Sequence, residues 1–221
     1  MKNALILGSS GGIGSALYDA LQARGGAVTR LSRRESGLEM TDEASIAAAF
    51  KTLEGPYDTV FIATGALEIG PHRPEKTLRS LSAEALQAQF AVNALGPVLA
   101  LKHLIGLLPK DKPCRVGILS ARVGSIGDNG LGGWYSYRAA KAALNQLVHS
   151  AAIEIARSHP QAVVALLHPG TVATRFTEKY VGNHPTVSPQ TAAENLLGVL
   201  AALTPAQSGG FYDWAGKEIP W

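Results

Sequence analysis

The stretch Ala4-Leu5-Ile6-Leu7-Gly8-Ser9-Ser10-Gly11-Gly12-Ile13-Gly14 decides the fold. Its four leading apolar residues predict a buried strand, and the turn leads directly into a helix predicted from about Ile13 to Arg24. Glycine lets such a turn tighten, lets backbone N–H groups approach a pyrophosphate and lets the helix pack closely on the strand. We therefore interpret the glycines at 8, 12 and 14 as a nucleotide-binding turn, with a purely structural strand-to-helix turn as the alternative.

Short apolar runs alternate with helical patterns along the rest of the chain, which is typical of a parallel sheet with crossover helices. Further strands are predicted at 27–31, 38–40, 59–62, 115–119, 162–167 and around 211–212. Further helices are predicted at about 42–50, 82–108, 134–158 and 189–203, with loops at 65–81 and 175–187, the second of them mobile. We expect one doubly wound α/β domain with a Rossmann fold over residues 1–221, with a nucleotide-binding half at about 1–110 and a catalytic and substrate half at about 111–221.

Composition narrows the class of protein. The 221 residues carry a formal net charge of +3 with no basic run that would follow a nucleic-acid backbone, so a phosphate-bearing small molecule is the expected partner. The single cysteine, Cys114, leaves no internal disulfide and indicates no metal cluster. No apolar run in the sequence approaches membrane-spanning length, and the apolar start is too short for a signal peptide. We expect a cytoplasmic protein that binds neither nucleic acid nor membrane.

The second informative stretch is Trp134-Tyr135-Ser136-Tyr137-Arg138-Ala139-Ala140-Lys141, in an alanine-rich setting that favours helix. Tyr137 and Lys141 are four residues apart and so share one helix face. An ammonium beside a phenol stabilises the phenolate, which makes the phenol a usable proton donor and acceptor for a carbonyl or an alcohol. An ordinary helix with a packed tyrosine and an exposed lysine is the alternative.

With the glycine turn and Tyr137-x-x-x-Lys141 together, the chain resembles the short-chain dehydrogenase/reductase family. Ala63-Thr64-Gly65-Ala66 stands where the family usually has Asn-Asn-Ala-Gly, and Asn93 matches the asparagine of its catalytic tetrad. His168-Pro169-Gly170-Thr171-Val172-Ala173-Thr174 matches its Pro-Gly-x-x-x-Thr element. The stretch from Gly124 to Tyr137 is similar to the carbonyl-reductase-like branch that includes C-factor and sniffer-type proteins.

The resemblance implies a role for each catalytic candidate. Tyr137 exchanges a proton with the substrate oxygen, and Lys141 lowers the Tyr137 pKa and binds the nicotinamide ribose. Ser120 steadies the carbonyl, and Asn93 holds a water that links Lys141 to solvent. Ser120 stands one place early relative to relatives with Ser-Ser, because Ala121 falls under their second serine; Ser125 is the alternative.

Cofactor choice follows from the residues after the second strand. An acidic side chain there favours NAD, whereas Leu31-Ser32-Arg33-Arg34 has no carboxylate and offers two guanidiniums suited to a 2′-phosphate. A solvated basic turn is the alternative. We therefore expect NADP(H). The family motifs imply the remaining cofactor-binding positions, which are Gly8, Ser10, Gly12, Ile13, Gly14, Ala63, Gly65, Tyr137, Lys141, Pro169, Gly170, Val172 and Thr174.

The resemblance implies an NADPH-dependent oxidoreductase that reduces an aldehyde or ketone to an alcohol and forms a homodimer or homotetramer. An NADP(H)-binding signalling or sensor protein with little turnover is the second hypothesis, because of the ambiguity at Ser120. The sequence leaves the substrate, the physiological direction and the stereochemistry open. Another set of candidates either lines an apolar pocket or forms core or subunit contacts: Trp134, Tyr135, the 175–187 loop, Phe211, Tyr212, Trp214 and Trp221.

Overall fold

Alternate residues of a strand point to opposite faces of a sheet, and both faces of the central sheet are apolar in this protein. A computed structural model describes residues 2–182 and 185–221. The strands are β1 Asn3–Leu7, β2 Ala27–Leu31, β3 Thr59–Ile62, β4 Cys114–Leu119, β5 Ala162–His168 and β6 Phe211–Asp213. The α-helices are α1 Gly12–Ala23, α2 Arg33–Ser36, α3 Glu43–Lys51, α4 Ala83–Phe90, α5 Gly96–Leu104, α6 Tyr135–Ser158 and α7 Pro189–Ala202.

The six strands form one parallel sheet in the order β2-β1-β3-β4-β5-β6. On one face, Leu5 and Val60 belong to a buried cluster with residues of α3, α5 and α6. On the other face, Ile6 and Phe61 belong to a second cluster with residues of α1 and α7. The strand order reverses between β1 and β3, and open α/β sheets bind ligands beyond the carboxyl ends of their strands at such a point. The predicted doubly wound Rossmann fold is confirmed.

The predicted strand at 38–40 is wrong. Gly37 adopts a φ of +67°, and the N–H of Leu38 donates to the carbonyl of Ser32, which turns the chain back toward the end of β2. Leu38 and Met40 are buried as the sequence suggests, but as packing side chains. The carbonyl of Met40 lies against Gly96, so this segment fills the space beside α5 and adds no strand to the sheet.

The predicted helix at 82–108 forms as α4, a π-helical turn at Ala91–Leu95, α5 and a 3₁₀ turn at Ile105–Leu107. Contrary to the expectation that no apolar run is long enough, the stretch Ala83–Leu107 is apolar and long enough to cross a membrane by length and composition. That is weak evidence of a span, because core helices of soluble proteins pass the same test. Here Ala94, Ala100, Leu101 and Leu104 are buried in the core.

Both predicted loops contain short ordered pieces. The 65–81 loop includes a 3₁₀ turn at Leu78–Ser80. The predicted mobile loop at 175–187 includes Asn183 and His184, which lie outside the described residues. Its first part folds into turns, in which the N–H groups of Thr177 and Glu178 donate to the carbonyl of Thr174.

Candidate active site

The glycine turn brings the end of β1, the start of α1 and the end of β3 into direct contact. Gly8 has a φ of +83°, and a Cβ at this position would lie 2.6 Å from the carbonyl oxygen of Ala63. A Cβ on Gly14 would collide with the carbonyl oxygen of Gly8. A side chain at Gly8 would push the ends of β1 and β3 apart, and one at Gly14 would push α1 away from the turn, so both positions require glycine.

The start of α1 suits a phosphate. Gly11, which precedes the helix, gives no side-chain cap, and the first turn carries no acidic residue. The first N–H groups of a helix point along its axis and favour an anion. The side chain of Thr174 packs against the start of α1. A Cβ on Gly12 would lie 2.6 Å from Cγ2 of Thr174. The glycine turn and the Pro-Gly-x-x-x-Thr element thus meet, and the backbone N–H groups at the start of α1 fit the pyrophosphate of a dinucleotide.

Other predicted cofactor residues also lie beyond the carboxyl ends of the strands. Gly170 has a φ of +78° and packs on the Trp214 indole, with its missing Cβ 3.1 Å from Cδ1. Val172 is buried and pairs with Val187 in an isolated bridge. Ser10 is exposed, Ile13 is half-buried, and Pro169 precedes Gly170 directly after β5.

Tyr137 and Lys141 share one face of α6, and both side chains are buried. The Lys141 Nζ donates to the carbonyl of Leu119 at 3.0 Å and lies 5.9 Å from the centre of the Tyr137 ring. A Cβ on Gly65 would lie 3.7 Å from this Nζ and 2.9 Å from Oδ1 of Asn93. The structure therefore brings Gly65, Asn93 and Lys141 together beyond the ends of β3 and β4.

Burial sets the electrostatics of this pair. It raises the pKa of the Tyr137 phenol well above its ordinary value, and it lowers the pKa of Lys141 to about 7. The cause of this rise for Tyr137 is desolvation of the phenolate, and the role of Lys141 in lowering the pKa of Tyr137 stays a prediction. Tyr137 is consequently protonated at neutral pH, which is the state that a proton donor needs.

Asn93 lies in the π-helical turn, an irregularity that is frequent at functional sites. Its amide accepts from the N–H of Ala66 at 3.0 Å and donates to the carbonyl of Ala66 at 2.8 Å. It also donates to Oε1 of Gln89 at 2.6 Å. These contacts fix the loop after β3 beside Lys141. The role of Asn93 in holding a water stays a prediction.

Both candidate serines are buried and hydrogen-bonded. Ser120 donates its hydroxyl proton to Oδ1 of Asn145 at 2.6 Å, and Asn145 lies one helical turn beyond Lys141. Ser125 accepts from the N–H of Asp128 at 3.0 Å. The hydrogen bond from Ser120 to Asn145 must break before the Ser120 hydroxyl can donate to a substrate oxygen. The role of Ser120 as the carbonyl-binding group therefore stays a prediction.

We expect Ser120→Ala to lower kcat/KM by roughly 10²- to 10³-fold, because one hydrogen bond to the reacting oxygen is lost. Ser125→Ala is the matched control, with an expected change of less than about threefold, since its hydroxyl serves a local turn. Steady-state kinetics and thermal melting of both variants check this. A larger loss of activity in Ser125→Ala than in Ser120→Ala would make Ser125 the carbonyl-binding serine. If Ser120→Ala lost only thermal stability, its hydrogen bond to Asn145 would be structural.

Glu75 was missed by the sequence analysis and anchors the start of α6. Its buried carboxylate accepts from the Ser136 N–H at 3.2 Å and from the Ser136 hydroxyl. Trp134, just before the helix, has a φ of +51° and donates its N–H to the Glu75 carbonyl. An anion at a helix N-terminus is favourable, so Glu75 ties the 65–81 loop to the helix that carries Tyr137.

Glu75→Ala is expected to destabilise the protein by about 1–3 kcal/mol, because buried donors lose a charged acceptor. That corresponds to a fall of several degrees in Tm for a chain of this size. Thermal melting measures it, with the exposed Glu54→Ala as the control. An unchanged Tm for Glu75→Ala would show that water replaces the carboxylate at the helix start.

Aromatic rings surround Tyr137. Trp134 contacts it edge-on with centroids 6.2 Å apart, and Phe176 lies at 6.3 Å. Tyr180 packs edge-on against Trp134 at 5.5 Å and donates its hydroxyl to Glu68 at 2.6 Å. Of the predicted aromatic candidates, Trp134 and Trp214 lie at the site, whereas Phe211 and Tyr212 are in the core. Trp221 stacks on Phe211, and Tyr135 is half-buried at the start of α6.

Ser32, Arg33 and Arg34 follow β2. Ser32 is buried and caps the short helix α2, in which Arg33 and Arg34 are exposed. The carboxylate of Glu35 also lies here, where the sequence analysis expected none. The signal for it was present, because Ser32-Arg33-Arg34-Glu35 has the S-x-x-E spacing of a capping box.

Comparisons with known proteins identify the family of this chain. A family model described as enoyl-(acyl carrier protein) reductase matches residues 16–209. The chain belongs to the short-chain dehydrogenase/reductase family.

Individual relatives sharpen this assignment. The chain is 32% identical over 215 residues to 1-hydroxy-2-glutathionyl-2-methyl-3-butene dehydrogenase from Rhodococcus sp. strain AD45, covering 95% of this chain and 88% of that protein. It is 36% identical over 133 residues to the C-signal protein of Myxococcus xanthus, covering 60% and 76%.

Solved structures support the fold. Carbonyl reductase Sniffer of D. melanogaster superposes with a TM-score of 0.83 at 20% identity, and each chain is covered completely. The NADPH-bound carbonyl reductase from chicken fatty liver superposes with a TM-score of 0.81 at 24% identity, covering 100% of this chain and 99% of that one. The resemblance to the short-chain dehydrogenase/reductase family is confirmed.

Proposed function

We propose that this protein is an NADPH-dependent oxidoreductase that reduces the carbonyl of an aldehyde or ketone to an alcohol. The observation that carries the proposal is the Tyr137–Lys141 pair beside Gly65, at the sheet edge where the glycine turn also lies. The pKa of Tyr137 is raised by burial, so its phenol holds the proton that a reduction consumes. The solved carbonyl reductase with bound NADPH supports the same cofactor.

Each residue has a defined task in this reaction. Tyr137 donates its proton to the substrate oxygen as the carbonyl becomes an alcohol, and Ser120 hydrogen-bonds the same oxygen. Lys141 holds the nicotinamide ribose and positions Tyr137, and Asn93 fixes the loop that carries Gly65. When bound, the nicotinamide supplies the hydride to the carbonyl carbon. The glycine turn holds the pyrophosphate, and Ser32, Arg33 and Arg34 lie at the end of β2, where the 2′-phosphate binds.

The experiment is a reductase assay on the purified protein with NADPH and a panel of aldehydes and ketones. The panel includes glutathione-conjugated carbonyls, because the Rhodococcus relative is named as a dehydrogenase of a glutathionyl alcohol. We expect substrate-dependent loss of NADPH absorbance, with one alcohol formed per NADPH consumed. NADPH binding without turnover across the whole panel contradicts the reductase proposal.

The second candidate is an NADP(H)-binding signalling or sensor protein with little turnover. It is favoured by the bond from Ser120 to Asn145, which occupies the proton that should bind the carbonyl, and by the similarity to the C-signal protein. Tight NADPH binding, measured by fluorescence enhancement, together with no turnover would support it.

We also propose a homodimer or homotetramer in the cytoplasm. The apolar side chains of Leu95, Leu147 and Ile153 are exposed on the π-helical turn and α6, and a second subunit would cover them. Light scattering of the purified protein measures the assembly state.

A further inference from the structure

The carboxylate of Glu35 lies against the glycine turn. Its Oε2 accepts from the hydroxyl of Ser9 at 2.5 Å and from the hydroxyl of Ser32 at 3.0 Å. Its Oε1 pairs with the guanidinium of Arg30, which is stacked over the Tyr18 ring with Cζ 4.4 Å from the centroid. Hydrogen-bond donors from the glycine turn, β2 and the start of α2 thus converge on one anion.

This position follows from how α2 begins. In a reciprocal capping box, Glu35 would accept from the N–H of Ser32. Here the hydroxyl of Ser36 accepts from that N–H at 3.1 Å, and the Glu35 side chain is left to turn toward Ser9 and Arg30. The hydrogen bond from Ser9 is the largest cause that lowers the pKa of Glu35, so the carboxylate is ionised at neutral pH.

A negative charge at the end of β2 has a known physical consequence. A carboxylate there accepts from a ribose 2′-hydroxyl and repels a 2′-phosphate. Arg33 and Arg34 act in the opposite direction, and they are exposed as Glu35 is, so solvent screens all three charges. Besides Arg33 and Arg34, the hydroxyls of Ser9 and Ser32 and the guanidinium of Arg30 are suited to hold a phosphate, and Glu35 engages these last three groups.

We propose that Glu35 is a specificity-determining residue that weakens the binding of NADP(H) by competing with the 2′-phosphate for Ser9, Ser32 and Arg30. The inference rests on the proposed function, in which this crevice binds NADP(H). It predicts that the wild-type protein discriminates only modestly between NADPH and NADH, although two arginines follow β2.

The experiment measures the dissociation constants of adenosine 2′,5′-bisphosphate and adenosine 5′-monophosphate by calorimetry at fixed ionic strength. These probes lack the nicotinamide, so the readout is independent of turnover. For Glu35→Gln we expect binding of the bisphosphate to tighten about tenfold, and binding of the monophosphate to change less than about twofold. NADPH and NADH should follow the same pattern.

Two further variants define the result. Glu35→Ala should act in the same direction as Glu35→Gln. The control is Glu43→Gln, which removes the charge of an α3 carboxylate that pairs with Lys102 of α5, and it should change neither dissociation constant. An equal change for both probes, or weaker bisphosphate binding in Glu35→Gln, overturns the inference, because Glu35 would then only position its neighbours. If the wild-type protein binds neither NADPH nor NADH, the proposed function fails. If it binds both, and Glu35→Gln leaves the ratio of the two dissociation constants unchanged, only the inference about Glu35 fails.

Discussion

Tyr137→Phe is expected to lower kcat/KM by about 10²- to 10⁴-fold, the range that a positioned proton donor supplies. The phenylalanine ring retains the contacts with Trp134 and Phe176, so the pocket keeps its shape. Only the hydroxyl is lost, and with it the proton for the substrate oxygen. The loss should appear in kcat, while the dissociation constant of NADPH stays within about threefold, since the phenol acts on the reacting carbonyl.

The control for this variant is Tyr135→Phe, on the same helix and half-buried. It should retain wild-type kinetics, and both variants should melt within a few degrees of the parent. Retention of wild-type turnover by Tyr137→Phe would remove this residue from the mechanism. A proportional fall in NADPH binding would instead give the hydroxyl a role in cofactor binding.

Lys141→Met is expected to abolish measurable reduction and to stabilise the folded protein at the same time. Burial lowers the pKa of Lys141 from its ordinary 10.5 to about 7, so folding penalises the ammonium. Below about pH 7, Lys141 is protonated in both the folded and the unfolded chain, so the full penalty for burying the ammonium applies. Between pH 7 and 10.5 the unfolded chain binds the extra proton, so stability rises with pH, and above 10.5 the penalty is gone.

A methionine of similar length removes that penalty. At pH 7 we expect Lys141→Met to raise Tm by several degrees, since each kcal/mol shifts the Tm of a chain of this size by about 2–4 °C. The gain should shrink steadily as the pH approaches 10. Calorimetric melting across this range tests the slope, with Lys112→Met, at an exposed loop position, as the control. A loss of Tm at pH 7, or a gain independent of pH, would show that the bond from Lys141 to Leu119 outweighs the cost of burial.

The sequence predicted those parts of the site that local spacing determines. The glycine turn and the Tyr137–Lys141 pair each lie within a few residues of chain, where glycine conformation and helix periodicity suffice. Partners distant in sequence were missed. Glu75 meets Ser136 from 61 residues away, and Asn145 meets Ser120 from 25.

Other features of the molecule depend on quantities that a sequence does not display. The direction of the Tyr137 pKa depends on how deeply the phenol is buried, which a helical spacing cannot give. The absence of a carboxylate at the end of β2 was inferred from the four residues Leu31-Ser32-Arg33-Arg34, but Glu35 reaches back from the next position. The strand expected at 38–40 failed because burial of Leu38 and Met40 satisfies the same apolar pattern without strand pairing.

The π-helical turn at Ala91–Leu95 has a consequence for helical phase. Buried residues recur every four positions at Ala85, Gln89, Asn93, Pro97 and Leu101. In an uninterrupted α-helix each such step rotates the side chain by about 40°, so this row would wind away from the core. The wider turn absorbs the excess residue and resets the phase. Deleting one residue within 91–95 would leave a regular helix but rotate one half by about 100° relative to the other, so Asn93 and the α5 core contacts could no longer face inward together.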